Sequence, residues 1–328
     1  MRYVAMLMLF ATYGWSADEP AAQTSHVWGG KARHNIIAVI DGPRWTESWG
    51  EPQRAYIPQQ ATKLLPQGTL YTNFRNTGGT YTASGHTALT TGFYEHLENS
   101  GKQFPGHPSV FQYFRAATGA AAEAVWVITS KDKLFTLANT ADPAWNGRLQ
   151  PRSDCGVPAR GPLGGYRDDK ATLKIVHEVL ATHHPALMII NFKEPDASGH
   201  AKNWPGYLQG IRDTDAYVAA IWEQIQSDPV MKDRTNLFIT NDHGRHLEGH
   251  LDGYISHGDD CAGCRQIALL ALGPDIAAGR VITTERNQAD LAVTVAHLVG
   301  VTLPGASGTL MTELLAQQVA PAVPAKTP

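Results

Sequence analysis

Short apolar runs alternate with longer amphipathic stretches along most of this chain. The short runs predict buried strands and the stretches between them predict helices. Such alternation is typical of a mostly parallel sheet covered by helices on both faces. We therefore predict an α/β fold built as a three-layer sandwich. The candidate strands are 36–40, 70–74, 124–129, 186–191, 236–240 and 267–272, and the candidate helices are 109–117, 169–181, 206–226 and 288–299.

The length and composition favour a single domain. The chain has 328 residues, and its hydrophobic content of 43% is enough for one large core. No composition break demands a second domain, so we assign one domain to 35–318. The segment 139–167 is rich in Gly, Pro and Asp, which predicts a long surface loop or small cap. The Pro/Ala-rich tail, 319–328, is predicted to be disordered.

The first sixteen residues have the pattern of a secretory signal peptide. Arg2 precedes an apolar stretch, and small residues follow at Gly14 and Ser16, which predicts cleavage after Ser16 or Ala17. An N-terminal membrane anchor is the alternative, although the apolar stretch is short for a span. Residues 17–34 would then form an N-terminal segment ahead of the domain. No later segment is long and apolar enough to cross a bilayer, so we expect a secreted or periplasmic protein with no membrane partner.

Charge and cysteine content narrow the chemistry further. The formal net charge of −3 and the lack of a basic stripe argue against a nucleic-acid polymer as partner. An oxidising compartment favours a disulfide, and Cys261 and Cys264 in CAGC are the obvious candidates. A thioredoxin-like redox role is the alternative, but the flanks lack its strand-then-helix context. The sequence assigns no partner to Cys155 and leaves the oligomeric state open.

Carboxylates and histidines follow several of the predicted strands. Asp41, Asp196 and Asp242 each come just beyond a strand, where functional residues of parallel sheets gather. We expect these three carboxylates to converge on one crevice. Histidine and carboxylate sets suit two divalent metal ions that keep open positions for substrate, with Zn²⁺ favoured over Mn²⁺, Fe or Ca²⁺. The candidate ligands are Asp41, Asp196, His200, Asp242, His243 and His257.

The segment 78–92 could supply a nucleophile. It contains glycines and hydroxyl residues ahead of a short helical stretch. Backbone N–H groups at the start of a helix suit an anionic phosphoryl group, and metal coordination activates a hydroxyl at neutral pH. Composition leaves Thr80, Thr82 and Ser84 open as the nucleophile. Without the metal ligands the segment would be an ordinary Gly/Thr surface turn.

Five motifs occur in the order found in a known family. They are an Asp after the first strand, Thr-x-x-x-His-x-x-x-x-Thr-Gly at 82–92, Glu-Pro-Asp-x-x-x-His at 194–200, Asp-His-Gly at 242–244, and a last His before a strand ending in Gly-Pro. From about residue 35 to 315 the chain thus resembles the alkaline phosphatase superfamily. The resemblance is to its branch of nucleotide pyrophosphatase/phosphodiesterases and phosphate-irrepressible alkaline phosphatases. It implies an alkaline-phosphatase-like fold.

The resemblance also implies roles for individual residues. Thr82 matches the nucleophile, four residues before His86, although Ser84 replaces the family's usual Pro. One metal would be held by Asp41, Thr82, Asp242 and His243, and the other by Asp196, His200 and His257. His257 is preferred to His246 and His250, which we place at the site rim or in solvent. His86 is expected to brace the turn rather than to bind metal.

Substrate preference depends on three further residues. Lys131 and Lys133 resemble the Lys-Asp-Arg stretch of the monoesterases, with Lys in place of Arg, which loses bidentate contact. Asn99 resembles the Asn that donates to a phosphoryl oxygen. These matches imply a metal-dependent phosphoric ester hydrolase that prefers small-molecule phosphomonoesters. Only thirteen residues separate His243 from His257, which predicts an open site.

Several other functions stay open. A phosphodiesterase or nucleotide pyrophosphatase is the nearest alternative, followed by a sulfate or phosphonate ester hydrolase of the same superfamily. A standard sulfatase is not expected, because no Cys/Ser-x-Pro-x-Arg stretch surrounds Thr82. A phosphomutase is not expected either, because an exported protein would not meet the intracellular sugar phosphates that such an enzyme uses. A metal- or phosphate-binding protein without enzymatic activity is also not expected, because the candidate ligand set is complete and the hydroxyl is retained.

Overall fold

The structure, a computed structural model, describes residues 26–316. The predicted signal peptide, 1–16, and the predicted tail, 319–328, lie outside these residues, as do the first part of the 17–34 segment and the last residues of 35–318. The described strands are β1 His34–Asp41, β2 Gly68–Arg75, β3 Val125–Thr129, β4 Arg152–Cys155, β5 Leu187–Pro195, β6 Thr235–Thr240, β7 Gln266–Leu272, β8 Arg280–Ile282 and β9 Arg286–Asn287. The described helices are α1 Thr82–Thr91, α2 Val110–Thr118, α3 Asp169–His183, α4 Asp196–His200, α5 Trp204–Ser227, α6 Ala262–Arg265 and α7 Gln288–Leu298.

All nine described strands form one sheet, in the order β4-β3-β5-β1-β6-β7-β2-β8, with β9 paired to β2. The pairs from β4 through β6 are parallel. Strand β7 runs antiparallel to both of its neighbours, β6 and β2. The predicted α/β class with a mostly parallel central sheet is therefore confirmed.

Helices cover both faces of the sheet. Along β1, Ile37 and Val39 face one hydrophobic core, whereas Ile36 and Ile40 face the other. Apolar residues of α2 and α7 fill the first core, and those of α3 and α5 fill the second. This two-sided burial explains why the central strands are continuous apolar runs rather than alternating ones. The three-layer arrangement predicted from the sequence is confirmed.

Sequence analysis did not predict every strand at the edges of the sheet. Within 139–167, predicted to be a loop or cap, residues Arg152–Cys155 form β4 at one edge of the sheet. Its polar, half-exposed residues gave no apolar run to detect, which is common for an edge strand. Of the helices between residues 26 and 316, none has the length and apolarity that a bilayer span requires.

The strand order brings the predicted ligands together. Strands β3, β5, β1 and β6 are consecutive neighbours in the sheet. Because all four run in the same direction, the segments that follow them lie together at the carboxyl ends of the strands. We call this side of the sheet the carboxyl edge, and it carries the candidate active site.

Candidate active site

Three buried carboxylates converge at this edge. Asp41 is the last residue of β1, Asp196 begins α4 directly after β5, and Asp242 follows β6. All three are almost completely buried. The backbone N–H of Gly42 donates to Asp242 Oδ1 at 3.2 Å, which ties the end of β1 to the segment after β6. The structure thus brings together the three strand ends as the sequence predicted.

Asp41, Asp242 and His243 form what we call the first trio. His243 Nε2 lies 3.5 Å from Asp41 Oδ1 and 3.4 Å from Asp242 Oδ2. The other ring nitrogen, Nδ1, donates to the Gly244 carbonyl at 2.9 Å, so Nε2 presents a lone pair to the carboxylates. Within residues 26–316, neither His243 Nε2 nor Asp242 Oδ2 has a hydrogen-bond partner, although both are buried.

Asp196, His200 and His257 form the second trio. The Nε2 atoms of the two histidines are 3.1 Å apart. They lie 3.3 Å (His200) and 3.4 Å (His257) from Asp196 Oδ1. The Thr80 carbonyl accepts a hydrogen bond from His257 Nδ1 at 2.7 Å, which turns Nε2 towards the trio. The His200 side chain is 47% exposed, so this trio opens to solvent whereas the first is enclosed.

Both trios have the donor chemistry of a divalent metal site. Ligand atoms bound tetrahedrally to zinc at about 2.0–2.1 Å lie about 3.3 Å from one another. In the structure, the ligand atoms of each trio lie 3.1–3.5 Å from its histidine nitrogens. Two buried, unpartnered ligand atoms in the first trio fit the same interpretation, because such atoms are costly to leave unsatisfied. The residues present therefore have donor chemistry that suits two divalent ions. His243 also lies within 4.8 Å of the ligand atoms of Asp196 and His257, so the division of the ligands between the two ions stays a prediction.

A buried lysine lies between the trios. Lys131 Nζ is 2.9 Å from Asp41 Oδ1, 2.6 Å from Asp196 Oδ2 and 3.1 Å from Thr82 Oγ1. Burial alone would lower the pKa of Lys131, but the carboxylates of Asp196 and Asp41 outweigh it and raise that pKa above its usual value. Lys131 therefore stays positively charged and contacts one carboxylate from each trio.

Of the three candidate hydroxyls, the structure places Thr82 beside the trios. Thr82 is the first residue of α1, and its Oγ1 contacts Lys131. Thr80 Oγ1 instead donates to the Asp259 carbonyl at 2.8 Å. Ser84 Oγ accepts from the Leu97 N–H at 3.2 Å. Of the three hydroxyls, that of Thr82 is therefore the one in contact with the lysine between the trios.

Asn99 and Lys133 lie at the start of the same helix. Asn99 Oδ1 accepts from the Ala83 N–H and from Lys133 Nζ, both at 3.0 Å. Burial, and then the charge of Lys131, lower the pKa of Lys133 to about 8. All three residues predicted to contact substrate, Asn99, Lys131 and Lys133, are thus close to Thr82 or its helix.

Burial and charge give the acidic and histidine ligands different protonation preferences. Burial, followed by the neighbouring Asp41, raises the pKa of Asp242 well above its usual value. Burial also opposes ionisation of Asp196, but Lys131 overcomes it and holds the pKa of Asp196 well below normal. Burial and then His257 lower the pKa of His243 far below its ordinary range, which keeps the ring neutral and able to bind metal.

Sequence reasoning missed two residues that orient the ligands. The Arg245 guanidinium is fully buried, contacts the Asp196 carboxylate and donates from Nε to the Tyr254 carbonyl at 2.6 Å. Asn191 Nδ2 donates to Asp41 Oδ2 at 2.9 Å. Arg245 follows Asp242-His243-Gly directly, and that position was the available signal. His86 has the bracing position expected, with Nδ1 donating to the Thr82 carbonyl at 2.8 Å.

Two further expectations are wrong. All three cysteines are free thiols, so the Cys261–Cys264 disulfide is not formed in the structure. His246, placed by the sequence at the rim or in solvent, is buried. It lies beside those cysteines because the segment 252–264 folds back over it, so that its two ring nitrogens contact Asp252 and Asp259.

Known structures share this fold. Murine ectonucleotide pyrophosphatase/phosphodiesterase 5 superposes with a TM-score of 0.62 at 14% identity, over 86% of this chain and 100% of that one. The phosphonate monoester hydrolase SpPMH from Silicibacter pomeroyi gives 0.63 at 12% identity, over 88% and 78% of the two chains. The lipoteichoic acid synthase LtaP from Listeria monocytogenes gives 0.63 at 13%, over 86% and 75%. No curated protein matches the chain significantly.

The chain belongs to the Sulfatase family, whose model matches residues 45–301. That family places it among the hydrolases of the alkaline phosphatase superfamily, whose fold it shares.

Proposed function

We propose that this protein is a two-metal-dependent phosphoric ester hydrolase in which Thr82 is the nucleophile and a phosphomonoester is the preferred substrate. One observation carries the proposal. Thr82 Oγ1, at the start of α1, is 3.1 Å from a lysine nitrogen that also contacts a carboxylate of each trio. A hydroxyl, two sets of candidate metal ligands and a cation therefore lie together at the ends of the parallel strands.

The ligand sets support two ions. Asp41, Asp242 and His243, together with Thr82, would hold one ion, and the second trio would hold the other. Mixed histidine and carboxylate donors favour Zn²⁺. When bound, the ions lower the pKa of the hydroxyl and polarise the phosphoryl oxygens. Asn191 and Arg245 orient the carboxylates of Asp41 and Asp196 for that task.

The reaction then proceeds in two displacements at phosphorus. Thr82 Oγ1 forms a bond to phosphorus as the bond to the leaving oxygen breaks, which gives an alcohol or phenol and a phosphothreonine. In the second displacement a water oxygen attacks phosphorus, which releases inorganic phosphate and restores the hydroxyl. Lys131 and the start of α1 stabilise the negative charge on the phosphoryl oxygens in both displacements.

The cations favour a monoester. A phosphomonoester carries two negative charges at neutral pH, and a diester carries one. Lys133 adds a second cation at the start of α1, where Asn99 Oδ1 fixes its ammonium at 3.0 Å. Charge-assisted hydrogen bonds of this kind are about twice as strong as neutral ones. The extra charge therefore favours the dianion.

A phosphodiester or nucleotide is the second candidate substrate. Murine ectonucleotide pyrophosphatase/phosphodiesterase 5 has also been solved as an inactive threonine-to-alanine variant in complex with AMP. The open, solvent-exposed second trio leaves room for a larger leaving group. Sulfate and phosphonate esters are further candidate substrates, supported by the name of the Sulfatase family and by the similarity to the phosphonate monoester hydrolase SpPMH. We also propose a secreted or periplasmic location, supported by the pattern of residues 1–16.

The first prediction compares two hydroxyls of α1. Thr82→Ala should lower kcat on an aryl phosphomonoester by about 10³-fold or more, because it removes the atom that bonds to phosphorus. Ser84→Ala, a matched change two residues later, should retain kcat within a few-fold, since Ser84 contacts the Leu97 backbone instead. Steady-state kinetics with both variants make the measurement.

A substrate panel completes the test. Rates on aryl monoester, diester and sulfate esters should rank the monoester first. Turnover that survives in Thr82→Ala would refute the nucleophile. A diester preference above about tenfold would refute the role given to Lys133.

A further inference from the structure

A second cluster of ligand-type side chains lies outside the two trios. Its members are His246, Asp259, Cys261 and Cys264, and we call it the cysteine cluster. Each offers one ligand atom, and these atoms all lie within 4.8 Å of one another. His246 and Cys264 are buried, and the other two are half-buried. None of the four belongs to the candidate active site.

We propose that the cysteine cluster is a structural zinc site, separate from the proposed catalytic ions. Two sulfurs, one imidazole nitrogen and one carboxylate oxygen make a four-atom, soft-to-borderline donor set. That combination suits tetrahedral Zn²⁺ and is unsuited to Mg²⁺ or Ca²⁺. The two cysteines have the C-x₂-C spacing common in such sites.

The orientation of His246 supports an ion. Its Nδ1 donates to Asp252 Oδ1 at 2.9 Å. That bond leaves Nε2 as the atom facing the cluster, 3.4 Å from Asp259 Oδ1. Nε2 is buried and has no hydrogen-bond partner in the described part of the chain. A carboxylate that fixes one ring nitrogen while the other binds metal is the usual arrangement at zinc histidines.

The cysteines are arranged as metal ligands rather than as a disulfide. Both are free thiols, and Cys264 is completely buried. Cys261 precedes α6, and its Sγ accepts a hydrogen bond from the Cys264 N–H at 3.4 Å. The Cys261 N–H in turn donates to Asp259 Oδ1 at 3.1 Å. Backbone N–H donors to sulfur and oxygen stabilise the negative charge that thiolate and carboxylate ligands must carry.

The site would hold the loop that carries a proposed catalytic ligand. His257 lies between His246 and Asp259 in sequence, so one ion would join the two sides of its loop. Thr80 connects the two sites, because its hydroxyl donates to the Asp259 carbonyl at 2.8 Å and its carbonyl accepts from His257 at 2.7 Å. The zinc would therefore position His257 without contacting substrate.

Cobalt substitution tests the proposal without an activity assay. Apo-protein, reduced and reconstituted with Co²⁺, should show near-ultraviolet thiolate-to-metal charge-transfer absorption. The band should persist in Cys155→Ser, the matched control at the third cysteine, and disappear in Cys264→Ser. Bound zinc should fall by about one ion per chain in Cys264→Ser, whereas Asp242→Asn should keep the thiolate band.

Each result decides the question. Absence of the thiolate band in reduced wild-type protein overturns the proposal, even if Cys264→Ser fails to fold. A Cys261–Cys264 disulfide in protein purified from its native compartment, shown by intact mass after thiol alkylation, also overturns it. The proposed phosphoric ester hydrolysis is unaffected by either result, because the band reports thiolate ligands alone.

Discussion

The two trios and the cysteine cluster are built from different parts of the fold. Five of the six trio residues lie at the end of β1 or in the segments directly after β5 and β6, so the rigid sheet fixes their positions. The sixth, His257, lies in the same loop as the cysteine cluster. The cysteine cluster takes all of its members from one stretch, 246–264, which contains only short helical turns. A site on a sheet can tolerate repelling charges because the scaffold holds them in place. A site on a loop has no such scaffold, so a bound ion would have to hold the loop residues in place.

The largest expected effect separates catalysis from stability. Asp242→Asn removes a proposed metal ligand. Because loss of a residue that only hydrogen-bonds to a metal ligand already costs about 10–100-fold, kcat/KM should fall by more than about 10²-fold. The melting temperature should fall by less than about 3 °C, because the sheet holds the site in place and relief of the repulsion between Asp41 and Asp242 offsets part of the lost ion binding. Cys264→Ser should show the opposite pattern: a melting temperature lower by at least about 3 °C and a kcat/KM within about tenfold of wild type. Calorimetry and steady-state kinetics on the same samples would check both.

Equal losses of stability in both variants would break this comparison. Cys155→Ser, in β4, serves as the control for removing a thiol outside the cysteine cluster, and it should change neither quantity. A Cys264→Ser variant with wild-type melting would show that the loop is ordered by its own contacts.

A smaller expected effect tests the role proposed for Lys133 in the candidate active site. Lys133→Met removes one cation from the start of α1 and leaves Lys131 in place. We expect kcat/KM for an aryl phosphomonoester to fall by about 10–100-fold, the worth of one charge-assisted hydrogen bond. The value for a diester should fall much less, so the monoester/diester ratio is the quantity to measure. An equal loss on both substrates would assign Lys133 a structural role.

The smallest effect concerns pH. The pKa of Lys133 is lowered to about 8 by burial and by Lys131, so its ammonium is present below that pH and is lost above it. Wild-type kcat/KM for a monoester should therefore decline as pH rises through about 8. Lys133→Arg keeps the charge at all these pH values and should remove this decline. A decline that persists in Lys133→Arg would point to another group.

Much of the fold could be predicted because the buried strands have a strong signal. The apolar runs that became β1, β3, β5 and β6 are covered on both faces, and each is followed by a polar or charged residue of the site. The direction of β7 could not be predicted, since an apolar run carries no information about strand polarity. The edge strand β4 was missed because its residues are polar.

The candidate site was predicted in composition but not in its internal contacts. The positions of Asp41, Asp196 and Asp242 just after predicted parallel strands indicated that they converge, and the structure has them together. It could not show that Arg245 points inwards, since arginine is usually exposed and only a buried carboxylate makes its burial favourable. Nor could spacing show that His246 belongs with the cysteines, because the three residues meet only after the loop folds back. The roles of these residues in metal binding and catalysis stay predictions.

The position of Lys131 has a consequence for how the protein matures. Its ammonium contacts Asp41 and Asp196, so the polypeptide carries an internal counter-ion for these buried carboxylates. The chain can therefore reach its native conformation before any cation arrives. Binding of the proposed ions would then follow folding, and ions would enter on the side of the second trio, where His200 is exposed to solvent.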